Sequence, residues 1–449
     1  VLHTVLRPIV RHALRVYFRE LELEGVEDVP ASGPLLLAPN HPNTLIDVFL
    51  VGAHLDRSLR FVAKATLFKG LAGPLLRALK AVPIARRQDG PVDPGAKQSN
   101  QQTLDACERA VAEGSAVLIF PEGVSQLEPR LQRLKTGLAR IALGAQQRTS
   151  EPVYVVPVAL IYDERETFRS RARVAFTPPI DVRPFLAEGS EEDPFAAARA
   201  LTAAVRQALE PEVVHVEQPE LDPLVEQLDA IYGQRVRHEI GGRLAATAGI
   251  ARAVSAFAER DPERVQRVRA QLDAYTQALA QAGIDDRALR RGKTPTPQDD
   301  LAFWAATPIA LWGALNHLIY YQLPRIAVSV LGPERLYTST VKLVVGLFAL
   351  AGCYVGQTWA VQHYLGWSWA GPYLGTLPLA GFVALLWLEA LGVRRRRRST
   401  RKALRRLSPE ARRQLQEQRE ALIRELDRAR VDFLAEQLDE AEDEAGDPS

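Results

Sequence analysis

Two long apolar stretches near the C-terminus limit the folds open to this chain. Lys342 to Val361 and Ala370 to Val393 each reach the roughly 20 residues that a helix needs to cross a bilayer. Arg394 to Arg398 follow the second stretch at once and are expected to stay cytoplasmic. The connecting segment, Gln362 to Trp369, carries no Lys or Arg and is expected to face outward, which makes an inside–out–inside hairpin. Leu301–Tyr321 is also apolar, but Asn316 and His317 interrupt it. Arg325, Arg335 and Lys342 follow, so it is expected to begin and end inside as an interfacial or re-entrant helix, with a third crossing as the alternative. An ionisable residue there, His317, is a functional candidate by default; the competing reading is a histidine at headgroup level.

The front of the chain reads differently. Residues 1–20 have Leu2, Leu6, Ile9, Val10, Ala13, Leu14 and Tyr17 at helical spacing, with Arg7, Arg11, Arg15 and Arg19 along another face. That pattern suits a helix at the membrane interface with its arginines toward anionic headgroups. A helix packed on its own domain is the alternative. Arginines interleave the apolar residues, so no secretory signal is expected here.

Residues 17–180 alternate short apolar runs with helical patterns. Strands are expected at Tyr17–Leu23, Leu35–Ala38, Leu59–Ala63, Ala81–Ala85, Ala116–Phe120, Val153–Leu160 and Ala172–Phe176. Helices are expected at Leu45–Leu55, Leu67–Leu79, Ser99–Glu113 and Leu134–Gln147. This order implies an α/β domain with a central mixed sheet flanked by helices, with active residues at strand ends. Val156-Pro157-Val158 places a proline inside an apolar strand, which argues for a strand end, a bulge or a close approach to ligand.

The first strand-to-helix turn carries the sharpest chemical signal. The run Leu35-Leu36-Leu37 ends in Ala38-Pro39-Asn40-His41-Pro42, and Asn43 or Thr44 can cap the helix that holds Asp47. Histidine titrates near neutrality and can take a proton from an alcohol. A carboxylate on its other nitrogen would fix the tautomer and stabilise the imidazolium, with the substrate hydroxyl as nucleophile. The bland reading is a surface His beside a helix cap. Other strand ends add candidates: Lys64, the pair Arg86 and Arg87, and the turn Phe120-Pro121-Glu122-Gly123-Val124-Ser125. Two cations and a glycine turn would suit a phosphate. Glu122 could hold a substrate hydroxyl or a neighbouring arginine, and Lys135, beside Thr136-Gly137, could face the same cleft.

Taken together these blocks resemble the glycerolipid acyltransferase family. Asn40, His41 and Asp47 resemble its first block, Arg86 its second, Phe120 to Gly123 its third and Val156-Pro157-Val158 its fourth, over roughly residues 17–180. Two departures stand out. Five residues separate His41 from Asp47 where four are common, and Lys80 occupies the second block's glycine position. On one helix the longer spacing would turn Asp47 away, so His41 must sit on the turn before the helix. The longer spacing, Ser125 and Leu134-Lys135-Thr136-Gly137 are similar to the branch acting on glycerol-3-phosphate or dihydroxyacetone phosphate.

The resemblance implies acyl transfer from a thioester, acyl-CoA or acyl carrier protein, to a glycerophosphate hydroxyl, with no bound cofactor and no metal. It implies His41 as base and Asp47 as its orienter. It also implies phosphate binding by Arg86, with Arg87, Lys64 or Lys135 assisting, and an acceptor site shaped by Glu122, Gly123 and Ser125. With the apolar spans and the arginine run, the protein is expected on the cytoplasmic face of the cell membrane, integral through its C-terminal helices and in contact with membrane lipids.

The remaining segments complete the expected layout: an interfacial helix over 1–20, the α/β domain over 21–215, a helical connector over 216–300, a membrane region over 301–393 and a charged helix with an acidic tail over 394–449. In that last helix Leu404, Leu407, Leu415, Leu422, Leu426 and Phe433 recur at helical spacing. They suit a homo-oligomer contact or a helix lying on the soluble domain. Charges nearly cancel, 56 Lys and Arg against 54 Asp and Glu, so no nucleic-acid partner is expected and the arginine run reads as a topology anchor. Cys107 and Cys353 match no metal or redox spacing and are expected to be inert small residues in a reducing compartment.

Overall fold

A computed structural model describes residues 2–65, 68, 73–78, 81–84, 94–125, 131–188, 193, 195–213, 219–236, 243–290 and 297–446. The chain forms two compact units: one of residues 1–215, 241–248 and 332–343, the other of residues 216–240, 249–331 and 344–449.

The first unit is built on a mixed sheet. Its strands are β1 (Glu20–Glu24), β2 (Leu35–Pro39), β3 (Leu59–Lys64), β4 (Val82–Ile84), β5 (Ala116–Leu118), β6 (Tyr154–Tyr162), β7 (Arg171–Phe176) and β8 (Ile180–Asp181). Among the described residues their order is β1-β7-β6-β2-β5-β3-β4, with β8 paired to β6. β2 is parallel to both β5 and β6, and β3 is parallel to β5 and β4. β7 runs antiparallel to β6, so β7 and β1 point the other way. The C-terminal ends of β2, β3, β4, β5 and β6 therefore share one edge, where α/β sheets bind ligands.

Every residue of β2 is buried, as a strand covered on both faces requires. Leu36 and Ala38 join a core with Val117, Val155 and residues of three helices: α4 (Pro94–Ala112), α5 (Gly137–Gln146) and α6 (Ala196–Leu209). Burial lifts the Cys107 thiol in that core to about 11, so it stays protonated and unreactive. Pro157 sits in mid-strand opposite Ala38. It lies where β6 passes from pairing with β8 to pairing with β7, and its carbonyl takes the Thr177 N–H at 3.0 Å. At that break no ladder bond is lost to the missing N–H.

Helix α1 (Leu2–Tyr17) packs against α2 (Leu45–His54). The contacts are those of a helix packed on its own domain. Arg7 and Arg11 donate to the Ala53 carbonyl at 3.3 and 3.0 Å, and Arg7 also pairs with Asp56. Cations at the C-terminal end of α2 satisfy open carbonyls and oppose its dipole. Leu14, Tyr17 and Phe18 are buried. The helix continues through Tyr17, which is why β1 begins at Glu20 rather than Tyr17. Residues 73–78 form α3 (Gly73–Ala78).

The second unit is helical. It holds α7 (Asp222–Leu228), a π turn at Asp229–Gly233, α8 (Gln234–Val236), most of α9 (Arg243–Arg260), α10 (Pro262–Ala282) and α11 (Asp286–Leu289). The long helices are α12 (Pro297–Leu331), α13 (Thr338–Leu365), whose first turn and a half belong to the first unit, α14 (Trp367–Leu404) and α15 (Pro409–Gly446). Asp261 caps α10 by accepting the Arg264 N–H at 2.9 Å, with Pro262 at the first helical position.

The oligomer contact expected of the last helix is spent within the chain. Leu415, Leu422, Ile423, Leu426 and Phe433 of α15 are buried, and α15 packs on α10. Arg264 reaches Glu425 at 3.0 Å and Asp432 at 2.8 Å across that contact. An apolar stripe already covered offers little to a second copy.

Leu301–Tyr321 lies inside one continuous helix of 35 residues rather than a re-entrant segment. It packs closely on α14. A side chain at Gly313 would overlap the Ala380 carbonyl, and His317 lies over Gly381. His317 Nδ1 bonds the Gly313 carbonyl of its own helix at 2.8 Å and Nε2 bonds the Tyr354 hydroxyl of α13 at 3.0 Å, so both ring nitrogens are engaged. Asn316 takes a bond from Tyr373 at 2.6 Å, and its carbonyl takes one from Gln357 at 2.7 Å. Small residues at the crossing and polar groups turned inward are how helices associate in lipid. Leu315, Ile319, Phe348, Val355, Trp359 and Leu379 are exposed.

Candidate active site

The site grows from the end of β2. The Asn40 side chain continues the β2–β6 ladder as a peptide would: its Nδ2 donates to the Leu160 carbonyl at 3.0 Å, and its Oδ1 accepts the Leu160 N–H at 2.7 Å. A surface asparagine could not do this. Its job is to hold the backbone rigid one residue before His41.

His41 then meets Asp47, Nδ1 to Oδ2 at 3.0 Å. The added residue is absorbed in the turn. α2 starts only at Leu45, so Asp47 is in its first turn and His41 precedes it. The Asn43 N–H also donates to Asp47 Oδ2, at 2.7 Å, and the Tyr162 hydroxyl donates to Oδ1 at 2.5 Å. Asp47 is fully buried, at 0 % exposure. A carboxylate buried this deeply needs such donors to remain in place. Since a carboxylate only accepts, Nδ1 carries the ring proton and Nε2 is the basic nitrogen of this tautomer. The His41 ring stacks on Phe120 from the end of β5, with centroids 3.4 Å apart. Burial, then the Asp47 charge, holds the Tyr162 hydroxyl well above its ordinary value, so it stays a donor.

Glu122 is tied to the backbone around His41. Its Oε2 accepts the His41 N–H at 3.1 Å and its Oε1 accepts the Gln132 N–H at 3.2 Å. Each oxygen accepts one backbone N–H, so the carboxylate braces the turn that bears His41. Burial raises its carboxyl above the ordinary value; the two N–H bonds oppose that rise and the Asp47 charge adds to it.

Gly123 follows at φ +72°, where a side chain would be strained and would stand 2.6 Å from Lys135 Nζ. The Lys135 side chain therefore lies across this turn, and its N–H bonds the Pro121 carbonyl at 2.7 Å. Ser125 is half-buried at the end of the same turn. Arg86, Arg87 and the Lys64 side chain lie outside the described residues. Sequence reading missed Tyr162 and the Asn43 N–H; a tyrosine ending β6, next to the strand that bears His41, was the available signal.

The geometry can remove a proton from a group at Nε2 and stabilise the imidazolium that results. Among the described residues, no group of three or more His, Cys, Asp or Glu is placed to hold a metal ion.

Residues 20–161 match the family model described as acyltransferase. Glycerol-3-phosphate O-acyltransferase 2 of Saccharomyces cerevisiae is 39% identical over 89 residues, 19% of this chain and 12% of that protein. A 1-acyl-sn-glycerol-3-phosphate acyltransferase of Chlamydomonas reinhardtii is 29% identical over 146 residues, 32% of this chain and 39% of that protein. The alpha form of the latter enzyme from Mus musculus is 23% identical over 184 residues, 39% of this chain and 60% of that protein. Each match thus spans less than two thirds of the relative. Among solved structures, the 1-acyl-sn-glycerophosphate acyltransferase PlsC of Thermotoga maritima is similar at 19% identity and a TM-score of 0.34, over 47% of this chain and 78% of that one. The family match falls on the residues that build the His41–Asp47 pair and the Phe120–Gly123 turn, and this segment of the chain is similar to the matching part of glycerolipid acyltransferases.

Proposed function

We propose that this chain is a membrane-associated O-acyltransferase that moves a fatty acyl group from acyl-CoA or acyl carrier protein to glycerol-3-phosphate. The observation that carries the reading is the buried His41–Asp47 contact, held from its far side by Tyr162, within a domain of this family. In the reaction His41 Nε2 takes the acceptor hydroxyl proton as that oxygen attacks the thioester carbonyl. A C–O bond forms, the tetrahedral intermediate collapses with loss of the C–S bond, and the imidazolium returns its proton to the thiolate. Asp47 stabilises the imidazolium throughout. The acceptor is itself the nucleophile, so catalysis rests on holding both substrates together. Arg86, with Arg87, Lys64 and Lys135, supplies charge for the acceptor phosphate in this reading.

The spacing of His41 and Asp47, Ser125 and the Leu134–Gly137 segment favour glycerol-3-phosphate, as does likeness to a yeast enzyme named for that acceptor. Likeness to enzymes named for 1-acylglycerol-3-phosphate supports that acceptor as the second reading. Two helices, Arg335–Leu365 and Trp367–Leu404, are long and apolar enough to cross a membrane. They support attachment at the cytoplasmic face, where a lipid product stays in the bilayer.

Purified protein in detergent–lipid micelles should be assayed with glycerol-3-phosphate, dihydroxyacetone phosphate and 1-acylglycerol-3-phosphate, each with both thioesters. Transfer to glycerol-3-phosphate, abolished in His41→Ala, is expected. Transfer only to the monoacylated acceptor selects the second reading. No transfer to any acceptor leaves a non-enzymatic membrane scaffold on the same fold.

A further inference from the structure

We infer that residues 335–342, which lie far outside the matched acyltransferase segment, are a working part of the catalytic centre, with Thr340 as a positioning residue for the His41–Asp47 turn. The inference rests on the acyltransferase reading and adds a residue that this reading does not require.

The argument starts at Thr44. It has φ 50° and ψ −120°, and the Ile46 N–H bonds the Asn43 carbonyl at 3.2 Å. This is the first corner of a type II′ turn, a place that suits glycine and strains a β-branched side chain. The strain is not idle. The turn aims the Asn43 N–H at Asp47 Oδ2, so its backbone shape sets one of the bonds that hold the carboxylate against His41. A strained corner persists where its surroundings over-determine it.

Those surroundings arrive from almost three hundred residues later, within the same compact unit. The Thr44 hydroxyl donates to the Leu336 carbonyl at 3.3 Å and meets the Thr340 hydroxyl at 2.8 Å. With Thr44 donating to Leu336, Thr340 donates to Thr44. The same segment grips the other approach to Asp47, the loop that follows Tyr162. Ser339 Oγ donates to the Arg165 carbonyl at 2.6 Å, Lys342 Nζ to the Glu166 carbonyl at 2.5 Å, and Arg335 pairs with the Glu166 carboxylate at 3.1 Å. Arg165 closes the circle by donating to the Pro42 carbonyl at 3.2 Å. One short segment thus ties together the turn that bears His41 and the strand end that bears Tyr162. It also begins α13, one of the two apolar helices, so the turn is fastened to the chain's entry into that helix.

The test uses the full chain and three variants. Thr340→Val keeps the shape and removes the hydroxyl; it should lower kcat about fivefold to tenfold, the scale of one lost hydrogen bond, with KM for the acceptor changed by less than about twofold. Thr340→Ser should recover most of the loss. Adding Thr44→Gly to Thr340→Val should also recover part of it, because glycine takes this corner without strain. Parental kcat in Thr340→Val overturns the inference, as does a loss that neither serine nor the added glycine relieves, which marks a general packing defect. His41→Ala is run alongside. If it is inactive while Thr340→Val is at parental rate, only this inference falls; if it is fully active, the acyltransferase assignment of His41 falls.

Discussion

Replacing Asp47 by Asn separates charge from orientation at this site. Asp47 Oδ2 accepts from His41 and Asn43, and Oδ1 accepts from Tyr162. An asparagine can keep its oxygen toward His41 and Asn43 and turn its NH2 to the Tyr162 oxygen, which can accept. The histidine tautomer is then retained and only the anion is lost. A charge about 4 Å from the imidazolium, at an effective dielectric near 20, contributes about 4 kcal/mol. At about 1.4 kcal/mol per tenfold, that sets a ceiling near a thousandfold. Full burial of the group keeps salt from screening much of it. Asp47→Asn should therefore lower kcat by about a hundredfold to a thousandfold, measured as thiol release from acyl-CoA in the presence of glycerol-3-phosphate. Losing the anion disfavours the imidazolium, so the acid limb of the kcat/KM profile should move to lower pH. Adding Tyr162→Phe leaves the amide NH2 without an acceptor and favours the wrong flip, so the double variant should lose about a further tenfold or more. Asp47→Asn within about tenfold of the parent, or a double variant no worse than the single one, would refute this account of the relay.

Asn40→Ala leaves a buried N–H and a buried carbonyl of Leu160 unpaired and should cost about 2–4 kcal/mol in urea unfolding; a loss below about 0.5 kcal/mol counts against the ladder role. For Glu122, burial raises the folded-state value, so the folded chain holds this proton more tightly than the unfolded one. Its contribution is complete below the unfolded value and is lost as pH rises through the folded one. The stability advantage of the parent over Glu122→Gln should shrink across that rise, and a gap that widens with pH contradicts the assignment. Gly123→Ala, at a positive φ against the Lys135 chain, should lose about 1–3 kcal/mol of stability, seen as a lower Tm. Gly381→Leu should displace His317 from its bonds and lower the thermal stability of the detergent-solubilised protein, while Gly371→Leu, with open space at its Cβ, should not.

Much of the sheet was legible because burial writes a local pattern. The runs at Leu35, Leu59, Val153 and Ala172 mark four strands to within two residues: β2 and β6 are apolar almost throughout, as strands covered on both faces are, while arginine interrupts β3 and alternates with apolar residues in β7. Helix α2 and α5 were equally plain from their spacing. What local pattern left open turns on distant contacts. The amphipathic pattern of α1 fits a lipid surface or a protein surface equally, and the contact of two of its arginines with the Ala53 carbonyl is written nowhere in that pattern. The apolar rows of α15 fit a partner helix in any chain, and α10 proves to be that partner. The bracing contacts of Glu122 were not legible because both donors are backbone N–H groups, which leave no trace in side-chain identity.

By itself the sequence determined the residue types, their order and the strand-end turns on which they sit: His41, Asp47, and Glu122 beside Gly123. It did so because apolar period and turn chemistry act between neighbours. Only the tertiary structure decided what surrounds Asp47. Tyr162 lies 115 residues from it, and Thr340 reaches Thr44 across 296 residues. Contacts at such separations are set by which strands pair and which segments return to the sheet, and hydrogen-bond geometry within an ångström is a property of that packing, not of any local run of residues.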